Sequence, residues 1–226
     1  MSDTFSDILP AEIPDYVSLF RKLFGMIDNT VRYEIFDVRH DIYPDSLNRD
    51  ELYLITGSRA EAYGDSPWIK SLIEFIRKMY AEGMKIAGVC FGHQIIAQTL
   101  GGKVERAKQG WGTGVRTADI TDPKALTFFP AKRISLFCNH HDQVTELPPR
   151  AVCFAKSDFC PVEGFYIDNQ VLTFQGHPEH TAEYVRYLLL NHSDGEREDV
   201  KTAALASLTG KVDSSAAAQW IKSLVR

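Results

Sequence analysis

Lys85 to Gln94 reads K-I-A-G-V-C-F-G-H-Q. Lys85 to Val89 is a short, mostly apolar run of the kind that forms a buried strand. Gly92 to Leu100 carries helical periodicity and stops at Gly101-Gly102. Cys90 falls at the turn between them, with Gly88 two residues before it and Gly92 two after. A strand that turns sharply into a helix forces the turning residue into a strained backbone, and side chains at both flanking positions would crowd it. The pattern is that of a nucleophile elbow with cysteine in place of serine. Such a turn aims the backbone N–H of Phe91 at the space above the sulfur, where it can hold an oxyanion. The helix N-terminus adds positive potential that favours a thiolate. A cysteine at a strand end is also a common core residue, so this motif alone leaves both readings open.

The flanking sequence supplies the rest of a sheet. Val31 to Val38 (V-R-Y-E-I-F-D-V) alternates apolar and polar residues, as a half-buried strand does. Leu52 to Thr56 (L-Y-L-I-T) is a buried-strand run that meets a tight loop at Gly57-Ser58. Ser66-Pro67 opens a helix, along which Trp68, Ile69, Leu72, Ile73, Phe75, Ile76 and Met79 recur at helical spacing until Gly83 closes it. Strand, helix, strand and a turn into another helix is the order of an α/β sheet with parallel pairing. After Gly110 come short strand-like pieces: Gly114 to Ile120, Ile134 to Cys138, Ala151 to Ala155, Gly164 to Ile167 and Val171 to Gln175. Glu179 to Leu190 returns to helical periodicity, and a last helix is expected near Ala216 to Val225. No repeat or long linker interrupts the 226 residues. One domain is therefore expected, with 1–30 and 193–226 at its periphery.

Composition removes several function classes. The 25 Lys and Arg against 30 Asp and Glu leave a net charge of −5. A mildly acidic chain has no general attraction to nucleic acid or to an anionic membrane. No apolar run approaches the ~18 residues of a membrane span. Met1 to Pro10 carries Asp3 and Asp7 and lacks the pattern of a secretory signal. Cys90, Cys138, Cys153 and Cys160 form no C-x-x-C pair and no zinc-ligand spacing with histidine. A reducing, cytoplasmic setting is expected, with no metal and no cofactor, and no phosphate-binding G-x-x-x-x-G-K-[ST] is present.

A cysteine nucleophile needs a base, and the base needs an orienting group. His177 follows the strand-like V-L-T-F-Q, within Q-G-H-P-E. Gly176 lets the chain turn and Pro178 fixes the next φ. At a strand end His177 and Glu179 point to the same side, so the carboxylate can hold the imidazole. Glu179 in the first turn of the following helix would be an alternative, purely structural arrangement. With an elbow cysteine upstream, the order Cys, His, Glu is the better account. His93 lies in the elbow helix and reads as a supporting or core residue, while His40 and His192 lie in polar segments.

G-V-C-F-G-H-Q together with Q-G-H-P-E strongly resembles the class I, triad-type glutamine amidotransferases. The resemblance runs from about Val31 to Leu190. I-T-G-S, P-W-I, G-W-G-T-G and H-H-D-Q-V bring it nearest the stand-alone, GMP-synthase-like group. It implies a flavodoxin-like, open, mostly parallel sheet flanked by helices, and hydrolysis of a glutamine side-chain amide through a γ-glutamyl thioester. It implies Cys90 as nucleophile, His177 as general base and acid, and Glu179 as its orienter. The oxyanion donors would be the N–H groups of Gly57 and Phe91. Gln94 would contact the bound glutamine, His140 and Asp142 would lie by its α-amino and α-carboxyl ends, and Trp111 would line the pocket.

The chain departs from this pattern twice. Relatives begin with an apolar first strand, whereas Met1 to Pro14 is polar and shows none; loss of a central strand would expose a sheet edge. His141 stands where many relatives have a small residue, which narrows the expected pocket. The substrate is expected to be glutamine or another γ-glutamyl amide, with ammonia passed to a separate synthetase subunit. A γ-glutamyl peptidase and a catalytically silent binding module of the same fold are the alternatives.

Overall fold

The computed structural model of the chain describes residues 14–192 and 197–225. The chain enters through α1 (Tyr16–Gly25), whose N-cap Asp15 accepts from the Ser18 N–H at 2.8 Å. Next come β1 (Leu52–Ile55), α2 (Pro67–Ala81) and β2 (Lys85–Val89). These are followed by α3 (Phe91–Thr99), β3 (Lys103–Arg106), β4 (Gly112–Ile120), β5 (Arg133–His140) and β6 (Asp142–Glu146). The chain closes with β7 (Val152–Lys156), β8 (Gly164–Ile167), β9 (Val171–Phe174), α4 (Ala182–Asn191), α5 (Glu198–Ser207) and α6 (Ser214–Lys222).

Seven strands form one sheet in the order β1-β2-β9-β8-β7-β4-β5, and β3 pairs with β6 apart from it. β1, β2 and β9 run parallel, with Ile55 opposite Gly88 and Val89 opposite Phe174. The other ladders of the sheet are antiparallel. The sheet is therefore mixed rather than mostly parallel. Helical crossovers, which parallel pairing requires, come early, and beyond Gly110 the connections are short and hairpin-like.

Each face of the sheet carries its own core. On one, Leu19, Phe20 and Leu23 of α1 and Trp220 and Ile221 of α6 pack with Phe154 and Phe174. On the other, Ile69, Leu72 and Ile76 of α2 and Ile95 and Ile96 of α3 pack with Ile86 and Phe165. Trp220 stacks on Phe128 at 5.2 Å and 10° and lies 4.5 Å from Phe154. Thus α1 and α6, which fall in the stretches expected to be peripheral, form one wall of a core.

Most expected elements appear within a residue or two of their sequence limits. Val31 to Val38 does not: 31–37 forms no strand, and among the described residues no strand pairs with it. α4 starts at Ala182 rather than Glu179, since Thr181 caps it by accepting from the Tyr184 N–H. The polar stretch 1–13 lies outside the described residues. No helix of the described chain is long and apolar enough to cross a membrane.

Candidate active site

The parallel strands end together, and their carboxyl ends carry the expected site residues. Gly57 follows β1, Cys90 follows β2 and His177 follows β9. Such a crevice is where open α/β sheets hold ligands. Cys90 has φ 52° and ψ −106°, the strained geometry expected of an elbow. A Cβ on Gly88 would come within 2.6 Å of the Gly92 carbonyl, and one on Gly92 would run into the Ile55 carbonyl oxygen. The two glycines are thus required by backbone packed on backbone. The Cys90 N–H is already donated to the Phe174 carbonyl at 2.9 Å, so it is unavailable to an oxyanion. Phe91 is the first residue of α3, where an N–H has no partner within its own helix. Its side chain is buried against Trp68.

His177 comes from a segment stitched to β5: its N–H donates to the Phe137 carbonyl at 2.7 Å. Its Nδ1 donates to Glu179 Oε1 at 2.7 Å, and both side chains are buried. The Cys90 sulfur lies close enough to the imidazole to act on its charge. Burial pulls the His177 pKa down, but the Glu179 carboxylate and Cys90 outweigh it and raise it to about 10. Cys90, His177 and Glu179 are therefore neighbours, in an environment that favours imidazolium at His177. Glu179 precedes α4, which removes the alternative in which it merely occupies a first helical turn.

Gly57 lies against this pair, for a Cβ there would sit 3.0 Å from His177 Cε1 and would strike the Tyr16 hydroxyl. Gln94 Nε2 donates to the Asp142 carbonyl at 2.8 Å and to Gln175 Oε1 at 3.2 Å, tying α3 to the start of β6. Asp142 Oδ1 accepts from His141 Nδ1 at 2.8 Å and from the Tyr63 hydroxyl at 3.3 Å. Trp111 stands edge-on to His141, 4.5 Å between ring centroids. His140 Nδ1 donates to the Asp142 carbonyl at 2.9 Å, and burial lowers its pKa to about 3, leaving a neutral ring. Gln94, His140, Asp142 and Trp111 thus gather on one wall. Gln94 and His140 hold the Asp142 backbone, while His141 and Tyr63 hold its carboxylate.

Three contributors escape a sequence reading. His180 stacks on His177, with 3.8 Å between centroids and 5° between planes. Its Nε2 lies 3.5 Å from the Tyr16 hydroxyl and 3.6 Å from Glu179 Oε1. Burial first, and then the neighbouring His177 charge, push its pKa well down, so it stays neutral. Tyr63 reaches Asp142 across 79 residues. The H of P-E-H was a visible signal for His180; nothing in the sequence pointed to Tyr16 or Tyr63. Ligand atoms of His177, Glu179 and His180 lie within 4.8 Å of one another. Ring nitrogen lone pairs point within the ring plane, so two parallel stacked imidazoles cannot aim at one cation.

The family described as glutamine amidotransferase class-I matches residues 26–192. The chain belongs to the class I glutamine amidotransferase family. It is similar to gamma-glutamyl peptidase 3 of Arabidopsis thaliana, 36% identical over 177 residues, 74% of this chain and 70% of that protein. It is also similar to the glutamine amidotransferase-like protein chyE of Penicillium rubens, 29% identical over 80% of this chain and 79% of that protein. Among solved structures, a glutamine amidotransferase of Thermotoga maritima superposes with a TM-score of 0.70 at 22% identity. That superposition covers 84% of this chain and 85% of the other, and it shows the shared fold. Membership of this family, with relatives named peptidases, marks the chain as an enzyme of the γ-glutamyl amide hydrolase kind.

Proposed function

We propose that the chain hydrolyses a γ-glutamyl amide through a thioester on Cys90. The observation that carries this reading is the strained elbow at Cys90 beside His177, whose imidazole is held by Glu179 at 2.7 Å. In the first half-reaction the thiolate attacks the amide carbon. The carbonyl oxygen takes the negative charge, facing the N–H groups of Phe91 and Gly57. The C–N bond then breaks as His177 gives its proton to the leaving nitrogen. In the second half, water attacks the thioester carbon and His177 takes the water's proton. The C–S bond breaks, releasing glutamate and restoring the thiolate. Asp142, steadied by His141 and Tyr63, suits the substrate's ammonium group.

The leaving amine distinguishes two versions. The relatives named gamma-glutamyl peptidase favour an amino acid or peptide amine as leaving group. Glutamine, releasing ammonia to a separate synthetase subunit, is the second version, favoured by the glutamine amidotransferase family itself. The test is to assay glutamine and γ-glutamyl dipeptides side by side, with amine release measured for the native chain and for Cys90→Ala. Turnover of either substrate class that vanishes in Cys90→Ala, with Cys90 alkylated by a γ-glutamyl electrophile, supports the reading. Undiminished turnover by Cys90→Ala overturns it.

A further inference from the structure

β3 and β6 form a two-stranded ribbon apart from the main sheet, and their register ends with Arg106 directly opposite Asp142. Just past this pair the Ala107 N–H donates to the His141 carbonyl at 2.7 Å, fixing the end of β3 to the corner between β5 and β6. Residues opposite one another in an antiparallel pair project from the same face, with Cβ atoms about 4.5–5.5 Å apart. Val104 and Val144, two residues away on each strand, share that face and are buried with Ile95 and Ile96 of α3. Arg106 and Asp142 therefore sit on the α3 side of the ribbon. Asp142 is buried and Arg106 is exposed, so the pair runs from the wall of the site to its rim. Asp142 takes both of its side-chain bonds, from His141 and Tyr63, on Oδ1. Arg106 lies close enough to the Tyr63 hydroxyl to act on its charge, yet among the described residues no carboxylate is bridged to it. Lys103, the other cation of β3, is already engaged by Glu105 and Glu146.

We infer that Arg106 is a specificity-determining residue that holds the α-carboxylate of the substrate's γ-glutamyl group, while Asp142 takes its ammonium. The inference rests on the γ-glutamyl reading of the site given above. An α-amino acid head carries its ammonium and its carboxylate on one carbon, so it presents opposite charges side by side. Asp142 and Arg106 present the complementary charges side by side and are not bridged to each other. The guanidinium fork can meet a carboxylate with two parallel bonds, which a lysine ammonium cannot. A substrate class follows. The γ-glutamyl group must have both α groups free, as glutamine and γ-glutamyl peptides do. A glutamine side chain within a polypeptide has both α groups tied up in peptide bonds. It would leave the buried Asp142 carboxylate without its counter-charge and is refused.

The test uses the full chain with glutamine and γ-glutamylalanine, beside analogues that lack the α-carboxylate, 4-aminobutanamide and 4-aminobutanoyl-alanine. Arg106→Ala should raise KM for the intact substrates about 10- to 100-fold, with kcat changed less than about threefold. On the decarboxylated analogues, which the native chain should handle poorly, Arg106→Ala should cost nothing further. Arg106→Lys keeps the charge without the fork and should recover part of the loss. Thermal shift with L-glutamate reads the same contact without turnover. Glutamate should raise the Tm of the native chain, 4-aminobutanoate should not, and Arg106→Ala should not respond to either. An equal loss on intact and decarboxylated substrates or an unchanged KM in Arg106→Ala would overturn the assignment. So would a glutamate shift that survives Arg106→Ala, or no shift with glutamate at about 50 mM. A KM effect confined to γ-glutamylalanine would overturn it too, by placing Arg106 against the leaving group. Failure of all turnover with an Arg106-dependent glutamate shift would instead sink the thioester reading and leave the assignment standing.

Discussion

The His180 ring lies flat on the His177 ring, 3.8 Å away, and the two carry different charges. Glu179 and Cys90 hold His177 as imidazolium, while burial holds His180 neutral. A neutral ring face beneath a cation is worth about 0.5–2 kcal/mol, or roughly 2- to 30-fold in rate where the cation is used in the chemistry. His180→Phe, which keeps the face, should retain most of kcat. His180→Ala should lose about tenfold and move the alkaline limb of the pH profile to lower pH, because the imidazolium loses support. A kcat/KM profile from pH 5 to 10 checks both.

Glu179→Gln tests the carboxylate itself. The amide preserves shape but removes the charge that raises the His177 pKa and invites the wrong tautomer. Loss of the orienting carboxylate in such triads costs up to about 10⁴ in kcat, so a fall of at least a hundredfold is expected, with folding cooperativity intact. Stopped-flow detection of acyl-enzyme formation, alongside a urea melt, separates chemistry from stability.

Gly92→Ala should be damaging for a backbone reason. The added methyl meets the Ile55 carbonyl, which belongs to a strand and cannot swing away. A cost of about 2–4 kcal/mol is expected, seen as a lower urea midpoint. Gly110→Ala offers a comparison: a Cβ there meets nothing within 4 Å, and only its φ of 84° is penalised.

Acid should weaken the fold before any carboxylate is titrated. Burial lowers the pKa of His93 and His140 to about 3, and that of His180 well below its ordinary value. The unfolded chain binds these protons near pH 6.5 and the folded chain does not, so stability falls as pH drops from about 6.5 toward 3. Each group contributes a slope of up to about 1.4 kcal/mol per pH unit. Tm measured between pH 7 and 4 should decline, and His93→Asn should flatten the decline.

The sequence made the elbow legible because glycine at two positions around a cysteine is a local backbone requirement. The Cys90, His177 and Glu179 set was legible because each member ends a strand or closely follows one. Val31 to Val38 misled because alternation reports what a strand's faces would meet, not whether a neighbour exists to bond its backbone. α1 was legible in the spacing of Tyr16, Leu19, Phe20 and Leu23, but its short ten-residue length and the polar stretch before it masked that signal. Tyr63 and His180 act through contacts that only the folded chain creates.

Tyr16 belongs to two neighbourhoods at once. Its ring helps wall a cleft beside β1, and its hydroxyl reaches His180 and sits against Gly57. Whatever steadies that first helix therefore also steadies the stacked imidazoles beside Cys90.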